Sequence, residues 1–139
     1  MGRVLGIDWG TKRHGLALSD GLRIAARGIG TLERPRTRAE EFARLADVVR
    51  REEVDLVVLG LPRNMDGSPG THAPDVRSFA DALSGFLGLE VRLVDERRST
   101  VEAERHLRSL GAGRKRTKKR VDAVAAAVIL QGFLDAKEE

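Results

Sequence analysis

A chain of 139 residues, 41% of them apolar, can bury one core of ordinary size, and no apolar stretch in it approaches the roughly 20 residues of a membrane span. The formal charge of +4 is small but unevenly placed: residues 113–120 read GRKRTKKR, whereas the tail DAKEE is mostly acidic. The lack of cysteine excludes disulfides and thiolate metal sites, and Asp8, Lys12 and Arg13 break the N-terminal apolar run that a secretory signal requires, so a cytoplasmic protein without membrane attachment is expected.

In chain order, RVLGID (3–8) reads as a buried strand. GLALS (15–19) reads as a second strand after a turn rich in Gly and Lys, and IAARGIGTL (24–32) as a weaker third. The period then changes. Thr37 and Glu40 form a capping box, and Phe42, Leu45, Ala46 and Val49 follow at helical spacing, which predicts an amphipathic helix over 38–52. VDLVVLG (54–60) is almost continuously apolar, as expected of a parallel strand covered on both faces. LPRNMDGSPGTHAP is a loop punctuated by Pro and Gly. A helix over 75–87 carries Val76, Phe79, Ala80, Leu83 and Leu87 on one side, and LEVRLVD (89–95) alternates as a strand. Ser99 and Glu102 make another capping box for a helix that Gly111 stops. A final helix over 121–134, VDAVAAAVILQGFL, is apolar nearly all round and hence buried. The order β-β-β-α-β-α-β-α-α predicts a single α/β domain over 1–139, with a mixed sheet and helices on both faces.

The opening GIDWGTKRHGLALSD places an Asp at a strand end before a Gly-Thr turn. Two kinds of protein do this: actin-like ATPases, which cradle phosphates on the hairpin, and ribonuclease-H-like nucleases, which hold a metal with the Asp. Length argues against the first, which closes two domains of this size around its nucleotide. Phosphodiester hydrolysis with divalent metal needs carboxylates at the ends of buried elements. Asp8 is one, although an Asp there also hydrogen-bonds its own turn. Glu96 follows a strand's carboxyl end, where α/β sheets place ligands; taken alone, with Asp95, Arg97 and Arg98 beside it, it reads as a surface ion-pair cluster. Asp122 is expected in the first turn of the final helix, on the face continued by Ala126 and Ile129. The helix dipole explains it as well as a metal does, but a carboxylate on an apolar face needs a partner.

Four blocks, GIDWGTKRHGLALSD, VVLGLPRNMDGS, VDERRSTVEAE and VDAVAAAVILQ, together resemble the YqgF family, from residue 4 to about 132. The resemblance implies a ribonuclease-H-like fold with a five-stranded mixed sheet and Mg²⁺- or Mn²⁺-dependent cleavage of nucleic acid. Family members are described as Holliday-junction resolvases and as nucleases that mature the 5′ end of pre-16S ribosomal RNA. The family's acidic triad falls on Asp8, Glu96 and Asp122, the carboxylates picked above. The expected mechanism has water activated between Asp8 and Asp122, and the departing 3′ oxygen stabilised between Asp8 and Glu96. In this fold 54–60 should lie beside the first strand, with Glu96 one strand further out and Asp66 as a reserve ligand. The substrate is precursor ribosomal RNA or branched DNA, and the protein a monomer or homodimer. A binding module without turnover is the alternative of another class.

Other residues near this site are expected to hold substrate. Lys12, Arg13, Arg97 and Arg98 flank the carboxylates, and Arg63 and Asn64 lie in the long loop that rims them. Arg114, Lys115, Arg116, Lys118, Lys119 and Arg120 form a basic stretch that, on charge alone, reads as a solvated, mobile loop aiding solubility; on the nuclease reading it is a loop that positions backbone without regard to sequence. Strand alternation turns Trp9 away from the face of Asp8, so it should pack. His14 stands where the family usually has an apolar residue and is expected to be a partly exposed strand histidine. His72 and His106 show no ligand spacing and are expected at the surface. No Ser-His-Asp or Walker-type pattern is present.

Overall fold

Apolar side chains on both faces of the first strand make it the centre of a sheet. Val4, Leu5 and Ile7 are all fully buried. The computed structural model describes residues 2–61, 70–95 and 114–136, the stretch 114–120 by its backbone alone. Its elements are β1 (Arg3–Asp8), β2 (Arg13–Ser19), β3 (Ala26–Glu33), α1 (Arg38–Arg51), β4 (Val54–Leu61), α2 (Ala73–Leu87), β5 (Val91–Asp95) and α3 (Arg114–Ala136). The five strands form one sheet in the order β3-β2-β1-β4-β5. The first three make an antiparallel meander, and β4 and β5 join it in parallel. This is the expected mixed sheet, with 54–61 beside the first strand.

Alternation sorts the strand residues to two sides. Leu5, Ile7, Leu16, Leu18, Val57 and Leu59 pack with Phe42 and Leu45 of α1 and Val76, Phe79 and Leu83 of α2. Val4, Ala17, Leu56 and Val58 pack on the other side against Ala126, Ile129 and Leu130 of α3. Thr37 caps α1, its hydroxyl accepting the Glu40 N–H at 3.2 Å, and Gly88 closes α2 in the left-handed region at φ 68°.

The last helix differs from the expectation in one respect that matters. It begins at Arg114, so the basic run is helical and forms the opening turns of α3. Arg and Lys are good helix formers, and no Gly or Pro interrupts the sequence from Arg114 to Gln131. Asp122 is accordingly the ninth residue of the helix and not part of its first turn. The helix dipole fades within one turn, so it does not explain a carboxylate there. No helix among the described residues is long and apolar enough to cross a membrane.

Candidate active site

Asp8 is the last residue of β1 and shares a sheet face with Val4, on the side covered by α3. Across the β1–β2 ladder its partner is Gly15. Paired α-carbons in such a ladder lie about 4.5–5.5 Å apart. Gly15 is also where α3 touches the sheet: a β-carbon there would stand 1.9 Å from the Asp122 carbonyl oxygen. Any side chain at position 15 would push the helix away. Gly15 thus seats the Asp122 backbone beside the strand end that carries Asp8. Neither carboxylate is deeply buried: Asp8 is half-buried, and the Asp122 side chain keeps 26% of its exposure. The sequence reading chose both carboxylates but gave Gly15 no role. The contact joins residues more than a hundred apart, and only the small size of glycine hinted at it.

Two further charged groups complete this face. Arg13 Nε donates to Glu33 Oε2 at 2.8 Å across the β2–β3 ladder, where the two residues are paired. The Arg13 guanidinium also stands 4.0 Å from Asp122 Oδ2. The hydrogen bond to Glu33, then its charge, raise the Arg13 pKa further, so this group stays cationic at any working pH. Arg13 was expected to meet substrate; the structure sets it between Glu33 and Asp122. Lys12 is exposed in the turn beside it.

On β5, Asp95 pairs with Leu61 of β4, while Ile7 of β1 pairs with Leu59. The end of β5 is therefore two strand spacings from β1, about 10 Å. Glu96 follows Asp95 in sequence but lies outside the described residues, as do Arg63, Asn64, Asp66, Arg97, Arg98 and His106. So do the capping box of Ser99 and Glu102 and its stop at Gly111. For Arg114, Lys115, Arg116, Lys118, Lys119 and Arg120 the helical backbone is defined. Positions 115, 118 and 119 precede Asp122 by 7, 4 and 3 residues and so fall on its side of the helix.

A hard divalent cation takes oxygen donors, and this face offers carboxylates with no competing thiolate anywhere in the chain. Asp8 and Asp122 suit such an ion. Among the described residues no group of three His, Asp or Glu comes together to hold one.

The opposite face of the same strand ends is built differently. His14 was expected to be partly exposed; instead it is fully buried. Strand position 14 points to the side that α1 and α2 cover, where its ring lies 5.2 Å from that of Phe79. Glu41 of α1, also buried, makes this tolerable by meeting His14 Nε2 at 2.6 Å. Trp9 packs on this side, away from Asp8 as expected, with the Arg34 guanidinium 5.3 Å from its ring centre and the His72 ring at 5.4 Å. His72 itself is exposed, as expected.

The strand order, the lone antiparallel meander and a carboxylate at the end of the central strand define a ribonuclease-H-like α/β fold. Solved structures agree on that fold. A yeast mitochondrial Holliday junction resolvase superposes with a TM-score of 0.61 at 13% identity, covering 96% of this chain and 78% of that one. The Thermus thermophilus RuvC in complex with a Holliday junction substrate gives 0.56 at 21% identity, over 99% and 96%. The chain belongs to the RuvX family, whose model, described as Holliday junction resolvase, matches residues 2–136. A relative from Myxococcus xanthus named "Putative pre-16S rRNA nuclease" is 51% identical over 134 residues, 96% of this chain and 88% of the relative.

Proposed function

We propose that this protein is a divalent-metal-dependent endonuclease that hydrolyses phosphodiester bonds at the 5′ end of precursor 16S ribosomal RNA. The single observation that carries this reading is the seating of the Asp122 backbone on Gly15, the ladder partner of Asp8. The name of the Myxococcus xanthus relative supports the choice of RNA. Asp8 and Asp122 would hold Mg²⁺ or Mn²⁺ with Glu96 as the third ligand; bound there, the metal supplies a water of lowered pKa and stabilises charge on the leaving oxygen. Arg13, fixed by Glu33, holds Asp122 in place and offsets the negative charge around it. Lys12, with Arg63, Asn64, Arg97 and Arg98, grips the substrate backbone near the carboxylates, and Arg114, Lys115, Arg116, Lys118, Lys119 and Arg120 extend that grip along α3. Such contacts position a polyanion without reading its sequence. The protein is proposed to act in the cytoplasm as one domain.

Branched DNA is the second reading, favoured by the description of the family model. A symmetric junction cutter needs two copies. The large exposed apolar side chains among the described residues, Leu22, Ile24 and Phe86, are split between the β2–β3 turn and the end of α2, so a monomer acting on RNA is preferred. The test is incubation of the purified protein with precursor RNA and, separately, with a four-way DNA junction, each with Mg²⁺ and with chelator, and its mass measured in solution. Metal-dependent trimming of the RNA by a monomer supports the reading. Junction cleavage by a dimer transfers it to DNA. Tight binding with no cleavage of either makes the protein a binding module.

A further inference from the structure

The turn between β1 and β2 is tight. A β-carbon on Gly10 would stand 2.2 Å from the Arg13 carbonyl oxygen, so only glycine fits there. Its polar backbone groups are met by side chains from behind. The Gly10 N–H donates to His14 Nδ1 at 3.1 Å. The Gly10 carbonyl accepts from Arg34 Nη1, also at 3.1 Å, and the Arg34 backbone N–H donates to the Lys12 carbonyl at 3.0 Å. Because Nδ1 accepts, the imidazole proton sits on Nε2 and is donated to Glu41. Glu41 in turn receives Arg34 Nε at 2.8 Å. The three side chains and Gly10 therefore close a ring of hydrogen bonds behind the turn.

Buried ionic groups contribute little net stability compared with apolar packing of the same volume. Apolar residues in place of the whole ring would serve the core as well. What the polar ring provides is a fixed geometry. We propose that His14, Glu41 and Arg34 are positioning residues: they clamp both backbone groups of Gly10 and so set the direction of the Asp8 carboxylate two residues earlier. The inference rests on the reading of Asp8 as a metal-holding carboxylate. Outer partners that orient metal-binding groups typically contribute 10–100-fold in affinity or activity, and a clamp on the backbone beside Asp8 belongs with them.

The test compares the full-length protein with His14→Leu, His14→Asn and Arg34→Met, at a temperature where each is folded by circular dichroism. Arg34 keeps part of its exposure, so Arg34→Met provides a folded variant even if position 14 tolerates no change. Three quantities are measured: kcat and KM on precursor RNA with Mg²⁺, the affinity for Mn²⁺ alone by calorimetry, and amide hydrogen exchange of residues 8–12. His14→Leu and Arg34→Met are expected to lose about tenfold in kcat and in Mn²⁺ affinity, with KM for RNA little changed. Exchange over 8–12 should quicken while that of β4 stays as it was. His14→Asn, whose Oδ1 can accept from Gly10, should recover part of each loss. Unchanged kcat, Mn²⁺ affinity and exchange in folded variants would overturn the clamp. If the wild-type protein neither cleaves nor binds Mn²⁺, the nuclease reading fails, and exchange over 8–12 still decides whether the clamp exists.

Discussion

Neighbouring residues at the top of the sheet go to opposite fates. Asp8 and Arg13 face α3, where carboxylates are half-exposed and the helix rests directly on Gly15. Trp9 and His14 face α1 and α2, where polar side chains are buried and bound to one another. Charge left partly in water keeps some of its hydration, whereas charge taken from water must be paired inside the protein. On the function proposed above, one face acts and the other holds. The strand period of two assigns a single β-hairpin to both tasks.

The largest expected effect falls on the α3 face. Asp8→Asn should reduce cleavage by about 10³-fold or more, the loss seen when one member of a catalytic unit is removed, and leave the fold intact. Asp122→Asn should do the same, and the double variant should be little worse than either. Rates that multiplied would show that the two carboxylates act separately.

Next is the basic opening of α3. Changing Arg114, Lys115, Arg116, Lys118, Lys119 and Arg120 to Ser should weaken binding to all nucleic-acid sequences. The slope of log affinity against log salt should shrink by roughly 0.7–0.9 for each phosphate that the protein no longer neutralises. A variant with Ser only at 115, 118 and 119, on the Asp122 side of the helix, should account for most of that change. Wild-type affinity and slope in the full variant would remove α3 from the substrate path.

Gly15→Ala sharpens the comparison from inside the fold. The new methyl group meets backbone and not a flexible side chain, so α3 must shift at a cost of about 1–3 kcal/mol. Urea unfolding should report that loss, and cleavage should fall further than stability because Asp122 moves with the helix. An alanine variant with the wild-type unfolding midpoint would mean that the helix does not rest there.

The smallest effect belongs to the holding face and depends on pH. Burial, opposed by the bond and charge of Glu41, holds the His14 pKa below its ordinary 6.5. Below pH 6.5 the unfolded chain takes up a proton that the folded chain resists, so stability should decline as the pH drops through that value. Burial alone would raise the Glu41 pKa, but the bonds and charges of His14 and Arg34 outweigh it and bring it below its ordinary 4.5. Its contribution is present above 4.5 and lost as the pH falls through the folded-state value. Thermal midpoints of His14→Leu should vary less than those of the wild type between 6.5 and 4.5. Parallel curves would mean that His14 is not the group responsible.

The choice of Asp8 and Asp122 rested on strand ends, helical spacing and carboxylates, which are local signals. The element order followed from the change of period along the chain, whereas the place of 54–60 beside the first strand was implied by the family resemblance. Two readings failed for physical reasons. The basic run was taken for a loop because charge suggests solvent, yet Arg and Lys favour helix as readily as they favour water. His14 was taken for a partly exposed residue because nothing near it in the chain hints at Glu41. The pairing joins a strand to the first turn of a helix 27 residues on, and long-range polar pairs leave no periodic trace. Glu41 lay hidden for the same reason, beside Phe42 on a face otherwise identified by its apolar residues.

The central claim is that Asp8 and Asp122 hold one divalent cation between them. Titration calorimetry of Mn²⁺ into the full-length wild type, Asp8→Asn, Asp122→Asn and the double variant tests it without substrate. The account predicts binding to the wild type, a large loss in each single variant and no further loss in the double. Equal affinity in all four proteins would contradict it.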